Sequence, residues 1–213
     1  MKNTILIGLG GVAGCGKDTF FTHLKKALNK KSITIKRYSF GDELKHEVNK
    51  WTTNQYGIDA IGCSRPDKEK IRPFLISHGV IKRDKTDGQY WIEKTKSTIE
   101  RDPETPDVAC ITDVRYNQYK NDEASWIKNS GGLVVYIQRL VKTEEAAELR
   151  VPLEAKNSEE LKNDPLVKDA ANYIASIKEV HESIIEETVD EEISIFLNWL
   201  ENKGGEQWKQ LLM

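Results

Sequence analysis

Apolar residues fill positions 4–9, give way to glycines, and return at Phe20, Phe21, Leu24, Ala27 and Leu28. A continuous run followed by three- and four-residue spacing predicts a strand, a loop and an amphipathic helix. Residues 33–40 predict a second strand ending at Gly41 and Asp42, with Asp42 placed to cap a helix over 43–51. The stretch 51–67 is polar and irregular, and helices are expected over 68–78 and 89–99 with a polar loop at 82–88 between them. Pro103 and Pro106 break the chain before 108–112, an apolar run of the kind buried in a parallel sheet, with Asp113 and Arg115 at its carboxyl end. A helix over 121–129 closed by Gly131 and Gly132 leads into a strand at 133–137. A short strand at 172–175, a long helix over 176–201 and a tail carrying Trp208 complete the pattern. Strands alternating with helices at this spacing predict a doubly wound α/β sheet, and the lack of repeats or low-complexity linkers predicts one domain.

Composition narrows the classes. The chain has 213 residues, and 32 Lys and Arg against 34 Asp and Glu leave a net charge of −2. A chain of this length buries roughly 70% of its unfolded surface, so it needs no disulfide or metal staple. Near-zero charge argues against a dedicated binder of polymeric nucleic acid, which rests on a basic surface. No run approaches the roughly 18 apolar residues that a bilayer span requires. Cys15, Cys63 and Cys110 are odd in number and widely spaced, a pattern expected of a reducing, cytoplasmic setting. Residues 5–15 mimic a lipoprotein signal, but an amphipathic segment follows Cys15 where a flexible tether would be needed, so no membrane attachment is expected.

The glycines after the first strand carry chemistry. Gly11, Val12, Ala13, Gly14, Cys15, Gly16 and Lys17 form the glycine-spaced part of a Walker A sequence, between a predicted strand and a predicted helix. Such a loop turns backbone N–H groups toward a polyphosphate at a helix N-terminus, and Lys17 would reach the β- and γ-phosphates of ATP. The expected fold is therefore a P-loop three-layer α/β/α sandwich with a mainly parallel sheet. Asp18 stands where Ser or Thr is usual, and the hydroxyl comes one position later at Thr19. Thr19 or Asp18 would sit near Mg²⁺, and Asp113 would project beside the loop to reach the metal through water or to orient an acceptor.

Transfer between two anions needs positive charge on both, and arginine grips phosphate oxygens in two places. Arg72, Arg83 and Arg115 are the candidates for an acceptor phosphate. Arg139 and Arg150 lie in the charged segment 138–157, whose composition predicts a lid that excludes water on closing. Tyr90 and Trp91 would stack on a nucleobase or pack in the core. The four histidines are scattered and receive no role, and Trp126 reads as the apolar face of its helix.

Taken together, Gly14 to Thr19, Phe40 to Lys45, Ile71-Arg72-Pro73 with His78-Gly79, Thr112 to Tyr116, and Gly131-Gly132 leading to Arg139 resemble the phage-type deoxynucleoside monophosphate kinases. The resemblance runs from about Lys2 to Ala175 and includes Asp18 after the loop lysine, Asn157 to Glu160 and Ala171 to Ile174. It implies Mg²⁺-dependent transfer of the ATP γ-phosphate to a deoxynucleoside 5′-monophosphate. It maps the phosphate-loop roles onto Lys17 and Thr19 and the strand-end pair onto Asp113 and Arg115. It puts Asp42 at the entrance to an acceptor-binding insertion over 42–100, against substrate or metal, and allows a homodimer in the host cytoplasm.

Two other readings stay open at this level. A P-loop kinase of another small acceptor would need a general base if that acceptor were an alcohol, and only Asp42 and Asp113 qualify. An ATP-driven switch or motor subunit would show partner-stimulated hydrolysis and no phosphorylated small molecule.

Overall fold

The structure is a computed structural model describing residues 4–142, 150–155, 158–178 and 182–213. Strand β1 (Ile5–Gly10) leads through the glycine loop into helix α1 (Lys17–Lys30), followed by β2 (Ile35–Tyr38). Three helices come next, α2 (Phe40–Tyr56), α3 (Arg65–Asp84) and α4 (Gln89–Glu100). The chain then alternates through β3 (Val108–Val114), α5 (Glu123–Asn129), β4 (Leu133–Lys142), β5 (Arg150–Pro152), α6 (Ser158–Ala170) and β6 (Tyr173–Lys178). Helices α7 (Glu182–Lys203) and α8 (Glu206–Leu212) close it.

The sheet runs β2-β3-β1-β4 with parallel pairing throughout, and β6 adds parallel to β4. Among the described strands only β5 is antiparallel, pairing with residues 140–142 of β4. All six residues of β1 are buried, as are the first five of β3 and of β4, because helices cover both faces. One face packs Phe20, Leu24 and Leu28 of α1 against Phe196 and Leu200 of α7 and Trp208 of α8. The other packs Phe40, Trp91, Ile92, Ala124, Ile127 and Val167 from α2, α4, α5 and α6. This is the P-loop α/β/α sandwich with a mainly parallel sheet. Among the described residues no helix is long and apolar enough to cross a membrane.

Several boundaries differ from the sequence pattern. Helix α2 starts at Phe40 because Ser39, not Asp42, is its cap, accepting from the Asp42 N–H at 3.2 Å. It runs to Tyr56 and stops at Gly57, whose φ of 66° ends the helical path. Ser64 caps α3 in the same way, so the irregular stretch shrinks to residues 57–64 and the expected 82–88 loop to 85–88. Residues 176–178, expected in a helix, are strand because they pair with 138–140 of β4. Helix α6 has no counterpart in the pattern, since Val167 and Ala170 are buried while Leu161 and Leu166 are exposed, too thin a stripe to read. Within the expected lid, 140–142 of β4 pair antiparallel with 150–152 of β5, and 143–149 with Lys156 and Asn157 lie outside the described residues.

Candidate active site

Three glycines with positive φ shape the loop: Gly11 at 129°, Gly14 at 80° and Gly16 at 101°. A Cβ at Gly11 would lie 2.3 Å from the Ile137 carbonyl oxygen, so only glycine lets the chain leave β1 so close to β4. Nothing lies within 4 Å of where a Gly14 Cβ would stand, so the loop is open there. Val12 and Cys15 are buried anchors, while Ala13 and Gly14 are exposed. Gly16 caps α1 without a side chain, which leaves the first helical N–H groups to meet an anion. Burial outweighs the nearby Lys17 and raises the Cys15 pKa, so this thiol is a packing residue.

The Lys17 ammonium lies over its own loop, donating to the Gly11 carbonyl at 2.6 Å and the Val12 carbonyl at 2.9 Å, with Cys15 Sγ at 3.7 Å. A phosphate oxygen would replace those neutral acceptors with charge-assisted bonds. From the far side Arg139 Nη1 donates to the Gly14 carbonyl at 3.3 Å, which brings the expected lid arginine onto the loop itself. Arg150 is half-buried on β5, opposite Lys142.

The carboxylates are less open than the sequence suggested. Asp113 projects from β3, but both its oxygens hold the start of α2: Ser39 Oγ at 2.9 Å, the Phe40 N–H at 2.9 Å and the Gly41 N–H at 2.8 Å donate to it. Asp42 accepts from Arg37 Nη1 at 2.8 Å and from Lys45 Nζ at 2.6 Å. Burial pushes the Asp42 pKa up, yet the bonds from Lys45 and Arg37 win and hold it below the ordinary carboxylate value. Asp18 is exposed on the first turn of α1, with Arg37 Nε 4.0 Å away, and Thr19 beside it is half-buried. Among the described residues no group of three or more His, Cys, Asp or Glu could hold a metal by itself. Thr19 and Asp18 carry the hard oxygens that would suit a Mg²⁺ arriving with a nucleotide's phosphates.

Lys68 on α3 is the cation on which the charges of Lys45, Arg72 and Arg115 all act. Burial, then those charges, lower its pKa. Arg72 is exposed and gripped at 2.7 and 2.6 Å by Glu69. The Arg115 backbone is fixed by Glu123, whose Oε2 accepts from the Arg115 N–H at 2.7 Å and the Tyr116 N–H at 3.1 Å. Glu123 is 4% exposed, and burial raises its pKa well above the ordinary value. Sequence reasoning missed Lys45 and Lys68. Their one signal was position, Lys45 three residues after Asp42 and Lys68 four before Arg72.

Arg83 does not join that group. It is 4% exposed, between Tyr116 at 3.9 Å and Tyr119 at 4.8 Å, and its Nη2 meets Asp122 Oδ2 at 2.5 Å. Asp122 caps α5 and is itself fully buried, so it needs this cation, and the longer α3 delivers it. The expectation of Arg83 on an acceptor phosphate gives way to an internal ion pair. Trp91 is likewise core, 5% exposed with Nε1 donating to the Gly79 carbonyl at 3.0 Å. Tyr90 donates to Glu47 Oε2 at 2.6 Å, and the Lys82 and Lys94 ammonium groups lie 4.5 and 5.4 Å from its ring, where a base would stack. Burial works against ionisation of Glu47, but bonds from Lys94, Tyr90 and His78 pull its pKa down to about 2.

Helix α6 brings a further carboxylate toward the loop. Val167 fills the space beside Gly10, and Asp164 Oδ2 accepts from Tyr136 Oη at 2.6 Å. Burial raises the Asp164 pKa, against the pull of Tyr136, Lys168 and Lys17.

The sequence matches no family model and no curated protein. Among solved structures it is similar to a shikimate kinase from Bacteroides thetaiotaomicron, at 14% identity and TM-score 0.43, over 92% of this chain and 98% of that one. A shikimate kinase from Acinetobacter baumannii in complex with shikimate is similar at 15% identity and TM-score 0.39, over 95% of this chain and 96% of that one.

Proposed function

We propose that the chain is an ATP-dependent kinase of nucleoside 5′-monophosphates, with deoxynucleoside monophosphates as its acceptors. The observation that carries this reading is the state of Asp113 and Asp42, the two candidate bases. Asp113 is spent on three hydrogen bonds, and Asp42 is held ionised between Arg37 and Lys45. Neither is a free base for an alcohol. A monophosphate needs none, because its second pKa of about 6 leaves it an ionised nucleophile at neutral pH. Lys45, Lys68, Arg72 and Arg115 offer the charge that such an acceptor requires.

In this reading Lys17 leaves the Gly11 and Val12 carbonyls for the β- and γ-phosphate oxygens, and the N–H groups of 14–17 hold the rest of the chain of phosphates. Mg²⁺, when bound, supplies charge compensation beside Asp18 and Thr19. Arg72 and Arg115, with the two lysines, hold the acceptor so that its oxygen faces the γ-phosphorus in line. The new P–O bond forms as the bond to ADP breaks, with no covalent enzyme intermediate and no proton abstraction. Arg139, already on the loop, stabilises the equatorial oxygens, and Arg150 joins it on the closing lid.

An acceptor screen tests the proposal: ATP and Mg²⁺ with the four deoxynucleoside monophosphates, their ribose counterparts and small alcohols, read by nucleotide separation. The expected result is a deoxynucleoside diphosphate formed in equal amount with ADP. Phosphorylation of an alcohol alone, or ADP with no phosphorylated small molecule, contradicts it.

A further inference from the structure

Arg37 has no place in the chemistry above, yet it touches both sides of it. It stands on edge strand β2, which pairs only with β3 among the described strands. Its Nη1 is 2.8 Å from Asp42 Oδ2, on the first turn of α2, and its Nε is 4.0 Å from Asp18 Oδ1, on the first turn of α1. The other Asp42 oxygen is taken by Lys45 at 2.6 Å. The result is an unbroken alternation of charge, Asp18, Arg37, Asp42, Lys45, from the donor loop to the acceptor-side cations around Lys68. The turn that carries Asp42 is also pinned to β3 through Asp113, so it has few other ways to respond.

We propose that Arg37 is a positioning residue that reports occupancy of the phosphate loop to the first turn of α2. This rests on the reading of that loop as the ATP site. A nucleotide and its divalent cation beside Asp18 compete with Arg37 for that carboxylate. Arg37 then bears more fully on Asp42, and Lys45, released in proportion, turns toward an acceptor anion. The link is short, uses one guanidinium between two carboxylates, and requires no movement of the sheet. Because Arg37 and Asp18 are exposed, the pair adds little to stability, and its effect belongs in the coupling between sites.

The test is amide hydrogen exchange over residues 40–45 with and without Mg²⁺ and ADP, in the unaltered chain, Arg37→Gln and Arg37→Lys, with ADP affinity measured by calorimetry on each. In the unaltered chain, nucleotide should change exchange in this turn by about fivefold or more, the lower end of ordinary coupling. Arg37→Gln should bind ADP within about threefold of the unaltered chain and lose the response, and Arg37→Lys should restore part of it. A purely structural Arg37 would shift exchange without nucleotide and leave the response intact, which overturns the proposal. So does an unaltered chain that binds ADP while the turn stays silent. Failure of ADP to bind the unaltered chain removes the ATP reading itself, and this inference with it.

Discussion

The loop over 11–17 and the helix pair α2–α3 are held by different physics. The loop's path is imposed by main chain: three positive φ values, a 2.3 Å approach at Gly11, and Val12 and Cys15 buried in the apolar core between α1 and the sheet. The helix pair has a core of four buried residues, Val48, Ala60, Ile71 and Leu75, and leaves Trp51, Tyr56, Ile76 and Ile81 substantially exposed. Its remaining order comes from side chains meeting side chains, above all around Glu47. A site made by backbone is written in the spacing of glycines. A site made by side-chain pairing is decided by which partner each charge finds, and two arginines eleven positions apart on one helix, Arg72 and Arg83, find opposite fates.

Removing the loop's one essential cation gives the largest effect. Lys17→Ala should lower kcat by at least about 10²- to 10³-fold, the loss typical of one preorganised charge donor, while the melting temperature barely moves. Near-normal turnover would mean that the loop's shape has no chemical use. The two arginines then separate side-chain fates. Arg83→Ala should cost about 3–5 kcal/mol in denaturant unfolding, because it strands a buried Asp122. Arg72→Ala should cost no more than about 0.5 kcal/mol, since its Glu69 pair is exposed, and should raise the acceptor KM roughly tenfold, or about 1.4 kcal/mol of binding. Equal stability losses would erase the distinction drawn between them.

The smallest effect is in acid. Glu47 has a folded pKa of about 2 against an ordinary 4.5, so its stabilising share is full above about 4.5 and is lost as pH falls toward 2. Unfolding midpoints measured from pH 5 to 2.5 should therefore fall, and Glu47→Gln should flatten that slope. An unchanged slope would show that the Glu47 cluster does not hold α2 to α3 and α4.

Much of the sheet was legible because buried parallel strands are continuous apolar runs, and β1, β3 and the start of β4 appear nearly where their sequences put them. The starts of α2 and α3 moved by three residues because Ser39 and Ser64 cap them, while the eye is drawn to the charged residues that follow. Helix α6 escaped because its buried stripe, Asn163, Val167 and Ala170, is thin and includes a polar residue. Of the candidate site, the loop residues and Lys17 follow from the motif, and Arg139 donates to the Gly14 carbonyl of the loop. Arg83, Trp91 and Tyr90 are engaged elsewhere because Asp122, the Gly79 carbonyl and Glu47 claim their polar atoms, partners distant in sequence that no local pattern announces. Lys45 and Lys68 were hidden for the same reason in reverse, since each looks like an ordinary surface lysine until the fold gathers them.

The central claim is that two anions are held facing each other, one on the loop and one at the cations of α2, α3 and the residue after β3. A bisubstrate analogue, adenosine joined through five phosphates to a deoxynucleoside, tests it by calorimetry. The account expects one analogue per chain, bound at least about 100-fold more tightly than ATP, as linked occupation of two sites allows. Binding no tighter than ATP, unaffected by Arg72→Ala, would contradict it.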